Sequence, residues 1–213
     1  MFKDRTDAGR QLAQALLEYR STGAVVLAIP MGGVPVGAEV ARKLGAPLDL
    51  VIPRKLPIPW NPEAGFGAMT IDGEIVLNRQ LIESMHITKQ QIEVVCEMVK
   101  TEIERRNKAL RHDKPAPNVK GRTAIIVDDG LASGYTMLAA IRYVRSLGPS
   151  KIVAAVPAAS AQSALLVEKE TDELVVLIKS AQIPFAVAGF YLSWHDLSDE
   201  EVKACLEEYK TAC

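Results

Sequence analysis

Short apolar runs of strand length recur along this chain, and a segment with helical spacing follows most of them. Ala24–Ile29, Leu48–Ile52, Ile125–Val127, Ile152–Val156 and Leu174–Ile178 are too short for buried helices and too continuously apolar to keep a wet face. Between them, Gly9–Arg20 carries Leu12, Leu16, Leu17 and Tyr19 at amphipathic spacing. Val34–Leu44 stops at Gly45, and Met137–Leu147 stops at Gly148-Pro149, both C-terminal signals. Ile82–Leu110 and Ser163–Glu168 also read as helical. Ser198 opens a last helix, with Glu201 spaced for a capping box. Ile75–Asn78 reads as a short strand, and the proline-dense stretch from Pro53 to Gly73 as an irregular loop. The alternation predicts an α/β fold, a mostly parallel sheet flanked by helices. Ligands in such sheets bind beyond the carboxyl ends of the strands. The residues directly after each apolar run are therefore where chemistry is expected.

After Ile125-Ile126-Val127 come two carboxylates, Asp128 and Asp129, then Gly130-Leu131-Ala132-Ser133-Gly134, then a helix starting near Tyr135-Thr136. Small residues leave backbone N–H groups open, and a helix start adds free donors and positive dipole. Ser133 and Thr136 add hydroxyls. The acids can hold sugar hydroxyls directly or through a divalent metal that takes oxygen ligands. Strand, acid pair, small loop and helix in that order suit a phosphorylated sugar.

Two other strand ends carry chemistry. Ile29-Pro30-Met31-Gly32-Gly33-Val34 leads from a strand into a helix, and paired glycines let a ligand approach the backbone closely. Arg54-Lys55 follows the second strand and can neutralise a polyanion; Arg79 is a further candidate. Near the chain's end, Phe185, Phe190, Tyr191 and Trp194 cluster although only 5% of the chain is aromatic. Most of these rings should close a small core. Phe185 or Trp194 is the expected stacking partner for a flat base. Lys179 could meet a base carbonyl, whereas His86 and His112 suggest no role and His195 reads as a surface histidine.

The 213 residues are 48% hydrophobic and carry a net charge of -1, enough apolar content for a substantial core. A near-neutral balance gives no electrostatic case for nucleic acid or an anionic membrane. No run approaches a membrane span of ~20 apolar residues. The first residues lack an apolar signal core, and Asp4 and Asp7 argue against a transit peptide, so a cytoplasmic location is expected. Cys96, Cys205 and Cys213 are widely spaced and suit a reducing compartment. The expected organisation is one domain over 1–213, with a core at about 20–180 and a hood from about 181–213 joined by the N-terminal helix.

The string from Ile125 to Thr136 resembles the 5-phosphoribosyl 1-pyrophosphate (PRPP) motif of type I phosphoribosyltransferases. Asn61-Pro62-Glu63-Ala64-Gly65-Phe66-Gly67-Ala68, Arg54-Lys55, Gly121-Arg122-Thr123 and Ser198-Asp199-Glu200-Glu201-Val202 resemble a poorly characterised subgroup labelled predicted phosphoribosyltransferases. The resemblance covers nearly the whole chain. It implies a Mg²⁺-dependent transfer from PRPP to a nucleobase, a purine favoured, giving a nucleoside monophosphate and pyrophosphate. It puts the 5′-phosphate on Gly130, Ala132, Ser133, Gly134, Tyr135 and Thr136, and pyrophosphate on Gly32 and Gly33 with Arg54 and Lys55. Asp128 and Asp129 would hold ribose and metal, directly or through water. Met31 stands where relatives often carry Arg or Lys, so charge for the pyrophosphate must come from elsewhere. Tyr135 stands where many relatives have a small residue, so its ring must point away from the phosphate. The stretch Leu56–Gly73 sits where the family has a mobile catalytic loop, and a homodimer is compatible with the pattern. The alternative is a PRPP- or nucleotide-sensing regulator on the same fold.

Overall fold

The five continuous apolar runs become the five strands of a parallel sheet. The computed structural model describes residues 1–212, and Cys213 lies outside them. Strand β1 (Val25–Ala28) has β2 (Leu48–Leu50) on one side and β6 (Thr123–Val127) on the other, with β7 (Lys151–Ser160) and β8 (Glu173–Ser180) beyond β6. Alternate side chains serve two cores. Val26, Ile125, Val127 and Val153 pack under helices α1 (Arg5–Ala15) and α2 (Gly33–Leu44). Val25, Leu27, Ile126 and Ile152 pack under α5 (Tyr135–Ser146), with Val167 of α6 (Ala161–Glu168) in the same core. A strand covered on both faces has no position for a polar residue, which is why these runs do not alternate.

The chain leaves β1 toward β2 and leaves β6 toward β7, so the direction of winding reverses between two paired neighbours. Ala28 is paired with Val127 across that junction. The loops after β1 and β6 therefore emerge side by side, at the point where such sheets form a crevice.

The proline-dense stretch is not an irregular loop. Arg54–Ile58 and Asn61–Met69 are strands β3 and β4 of an antiparallel hairpin, joined by β5 (Ile75–Leu77) into a second sheet. Leu56, Ile58, Phe66 and Met69 bury one face against Val95, Val99 and Ile103 of α4 (Lys89–Arg106). The prolines are tolerated for local reasons. Pro57 sits at the register shifts of the pair, and Pro59 lies in the turn, where a missing N–H costs no ladder bond.

The helix expected over Ile82–Leu110 is divided. A short α3 (Arg79–Ser84) ends before His86, which has φ 52°, and α4 starts afresh at a capping box of Thr88 and Gln91. One π-helical turn, Asn107–Arg111, follows α4. The closing helix α7 (Asp199–Ala212) starts as the sequence predicts, with Ser198 N–H donating to Glu201 at 2.8 Å and Glu201 N–H donating back to the Ser198 hydroxyl at 3.2 Å. Gly45 ends α2 at φ 62°. Cys96 and Cys205 are unpaired thiols. Among the described residues, no helix is long and apolar enough to cross a membrane.

Phe66 is fully buried between the hairpin and α4. Phe66→Ala should cost about 3–5 kcal/mol in equilibrium urea unfolding. A cost below ~1 kcal/mol would mean that the hairpin adds little to the folded core.

Candidate active site

Asp128 and Asp129 follow β6 at the reversal of winding. The Asp129 N–H donates to Asp128 Oδ1 at 2.8 Å. Burial, then the neighbouring Asp129 charge, hold the Asp128 carboxyl well above its ordinary range. Burial also raises Asp129, but Arg5 opposes it. Arg5 Nε donates to Asp129 Oδ2 at 2.8 Å and Arg5 Nη1 donates to the His195 carbonyl at 2.9 Å. Its guanidinium lies 3.8 Å over the Trp194 ring. The Tyr191 hydroxyl donates to the Asp129 carbonyl at 2.6 Å, and burial raises its pKa. One acid is thus held by both ends of the chain.

The turn after β1 lies against this corner. A side-chain carbon on Gly32 would overlap the Asp129 carboxylate, and one on Gly33 would fall 2.7 Å from the Val127 carbonyl oxygen. Glycine is required here by close approach. On the other side, Gly134 takes φ 83° at the start of α5 and so turns the loop into the helix. The loop is clipped to the start of α6: Ser163 Oγ donates to the Leu131 carbonyl at 2.8 Å and Ser160 Oγ to the Ala132 carbonyl at 3.1 Å.

Two clefts meet at this corner. The smaller, about 420 Å³, is lined by Asp128, Gly130, Ala132, Ser133, Gly134 and Thr136. The larger, about 810 Å³, is lined by Arg5, Gly32, Arg54, Asp129 and Trp194, with Glu102 and Arg106 of α4 on its far wall. Lys55 and Val187 line both. Lys55 Nζ donates to the Glu63 carbonyl across the hairpin at 2.7 Å. The buried Arg54 Nε has no hydrogen-bond partner among the described residues. Burial, then nearby Arg106, lowers the Arg54 pKa. Glu102 is held down to about 2, chiefly by its hydrogen bond from Arg105.

The structure therefore brings Asp128, Asp129, Gly130, Ala132, Ser133, Gly134, Thr136, Gly32, Arg54, Lys55 and Trp194 to two joined clefts, and Gly33 behind them. Tyr135 is absent from both clefts and lines a hollow of about 400 Å³ with Asn78, Leu166 and the loop residues Ala132 and Ser133. Phe185 packs on Phe190, ring centroids 5.1 Å apart, and borders neither cleft. Trp194 borders the larger cleft, but Arg5 covers its ring. Arg79 and Lys179 are exposed and line neither cleft, and His195 pairs with Glu201 at 2.7 Å on the surface. Sequence reasoning gave no site role to Arg5 or Val187 and counted Tyr191 only among the rings expected to close a small core; all three reach the site through the tertiary fold, and no local motif marks them.

The acid pair can hold a metal only in part. Among the described residues, no group of three or more His, Cys, Asp or Glu side chains converges. Mg²⁺ commonly takes one or two carboxylates and completes its shell with substrate phosphates and water. Asp128 and Asp129 fit such a shared ion.

A family profile described as the phosphoribosyl transferase domain matches residues 74–192. The chain is 41% identical over 207 residues to a Mycobacterium tuberculosis protein provisionally named a phosphoribosyl transferase. That match takes in 97% of this chain and 46% of the relative, so the chain spans less than half of its length. The crystal structure of TT1426 from Thermus thermophilus superposes with a TM-score of 0.79 at 37% identity, covering 98% of this chain and 99% of that one. A protein from Aquifex aeolicus, AQ2163, shares the fold alone, with a TM-score of 0.52 at 13% identity over 83% of this chain and 74% of its own.

Asp128 binds its proton more tightly in the folded state than in the unfolded chain. Stability from that difference is full below the ordinary carboxyl pKa, about 4 for Asp, and is lost as pH rises through the raised folded value. Asp128→Asn keeps the acceptor for the Asp129 amide and removes the titration. It should raise the melting temperature at neutral pH in metal- and phosphate-free buffer and change it little under acid conditions. Scanning calorimetry at both pH values checks this; an unchanged or lower neutral-pH melting point would contradict it.

Proposed function

The chain belongs to the phosphoribosyl transferase family, and from that premise we propose that it transfers the 5-phosphoribosyl group of PRPP to a nucleobase, a purine favoured, and releases pyrophosphate. The observation that carries this reading is the meeting of the two clefts at Asp128 and Asp129. One has small residues and a helix start, suited to a phosphate. The other is large and lined by cations.

The roles follow from the geometry. The 5′-phosphate is held by backbone N–H groups of the loop from Gly130 to Gly134 and by Thr136 at the start of α5. Asp128 and Asp129 accept from the ribose hydroxyls. The pyrophosphate occupies the larger cleft by Gly32, Arg54 and Lys55, where Arg54 Nε lacks a hydrogen-bond partner among the described residues. The acceptor enters the same cleft against Val187, Trp194 and Leu197, beneath a hood contributed by the chain ends. Mg²⁺ bound at Asp128 and Asp129 would neutralise charge on the departing pyrophosphate. A cationic sugar in the transition state needs aligned reactants, a stabilised leaving group and little water. The Val187 side chain, packed close to Gly130, helps close the corner where the clefts join.

The test is a screen of purines and pyrimidines for pyrophosphate release that depends on PRPP and Mg²⁺, with calorimetric PRPP binding alongside. Release with at least one base supports the enzyme. PRPP binding without release in any case moves the reading to a PRPP- or nucleotide-sensing regulator. In an active preparation, Asp128→Asn combined with Asp129→Asn should cut turnover about a hundredfold or more while far-UV circular dichroism stays unchanged. Normal turnover in that variant would make the acids structural.

A further inference from the structure

Arg5 lies at the start of the first helix, far from any motif, yet it lines the larger cleft. It is among the few buried charged residues, at 8% exposure. Two of its nitrogens are committed: Nε to Asp129 and Nη1 to the His195 carbonyl. Trp194 supports the plane of the group from one face at 3.8 Å. The third nitrogen, Nη2, has no partner among the described residues, and it is not sealed from solvent. The result is a guanidinium fixed in orientation with a donor left over.

What lies beside that donor decides its use. A side-chain carbon built on Gly32 would be 3.0 Å from Arg5 Nε, so the turn after β1 and the guanidinium are immediate neighbours. Met31 gives that turn a thioether, which cannot donate. Arg54 and Lys55 belong to the hairpin, and Lys55 is engaged by Glu63. Arg5 is thus the cation in contact with the acid corner, and it stands directly beside the glycine turn.

We infer that Arg5 is a substrate-binding residue, whose Nη2 donates to the pyrophosphate group of PRPP while Nε holds Asp129 in place. This rests on the phosphoribosyltransferase reading above. It assigns to the N-terminal helix the charge that the turn after β1 does not supply. A fixed, charged donor beside a leaving anion stabilises it without reorganising. The same contact couples the two halves of the substrate. The guanidinium that meets the pyrophosphate also orients the carboxylate that meets the ribose.

The experiment compares PRPP with ribose 5-phosphate, which lacks the pyrophosphate, by titration calorimetry in Mg²⁺ buffer. Wild type is set against Arg5→Gln and Arg5→Lys. Arg5→Gln should weaken PRPP binding about tenfold or more and leave ribose 5-phosphate within about twofold. Arg5→Lys keeps a positive charge for Asp129 but replaces the rigid fork with a single nitrogen, which cannot hold Asp129 and reach the pyrophosphate in the same geometry; it guards against a folding defect and should also lose PRPP affinity selectively. Equal PRPP affinity in wild type and Arg5→Lys overturns the inference. So does an equal loss for both ligands, which would make Arg5 a brace between the chain ends and nothing more. A wild-type protein that binds neither ligand refutes the phosphoribosyltransferase reading itself, a result distinct from either of these.

Discussion

Two adjacent carboxylates at the end of a buried strand are an electrostatic problem, and much of the structure follows from its solution. Desolvation disfavours either charge, and each charge disfavours the other. Here the two acids are treated differently. Asp128 accepts the amide of the next residue and is pushed toward its neutral form, whereas Asp129 receives a guanidinium. That guanidinium comes from the other end of the chain, and it is held in turn by the His195 carbonyl and the Trp194 ring. Phe2 bonds to the same region: its amide donates to the Phe190 carbonyl at 2.8 Å, and Leu192 N–H donates to the Phe2 carbonyl at 2.8 Å. The meeting of the chain ends is thus centred on one acid side chain.

The glycines make that arrangement possible from the opposite side. The turn after β1 could not approach the acid corner with any side chain at Gly32, because the space is filled by the Asp129 carboxylate. Moving the turn outward would part the loops that emerge from the paired ends of β1 and β6. The second sheet then completes the cleft. Its hairpin carries Arg54 and Lys55, and α4 behind it is tied to the last helix by Arg105, which bonds Glu102 and Asp199. The far wall of the large cleft is therefore anchored to α7, close after the residues that hold Arg5.

The parts of this that could be read in the sequence are the local ones. The strands after which Asp128 and Gly32 fall, the stop at Gly45 and the cap at Ser198 all depend on residues within a few positions of one another. The hairpin was hidden because proline signals a break in most contexts, and only the pairing shows that Pro57 occupies a bulge and Pro59 a turn. The division of the long helix turns on His86 adopting a left-handed backbone, which histidine does not advertise. Arg5 was unreadable for a stronger reason. It meets Asp129 across 124 residues of sequence, and nothing near it in the chain distinguishes it from a solvated helix-start arginine. Of the two rings proposed from composition, only Trp194 reached the cleft, since an aromatic cluster by itself does not say which of its faces are already covered.

The charges left uncompensated define what the clefts suit. Arg54 is a half-buried cation whose Nε has no hydrogen-bond partner among the described residues, whereas Arg5, Arg105, Arg106 and Arg111 all make ion pairs with carboxylates. Asp128 is a carboxyl held above its ordinary range by burial and by the Asp129 charge, with the Asp129 amide donating to it. Both arrangements cost stability in the absence of a ligand, and they call for opposite chemistry: an anion at Arg54 and a hydroxyl or cation at Asp128. A single molecule relieves both only if it presents an anionic group to the larger cleft and a hydroxyl-bearing centre to the acid corner. The neighbouring loop, with its small residues and its helix start, has the chemistry that suits a second anionic group. Stability given up at these positions is recovered on binding, which is how a preformed site comes to be less stable empty than occupied.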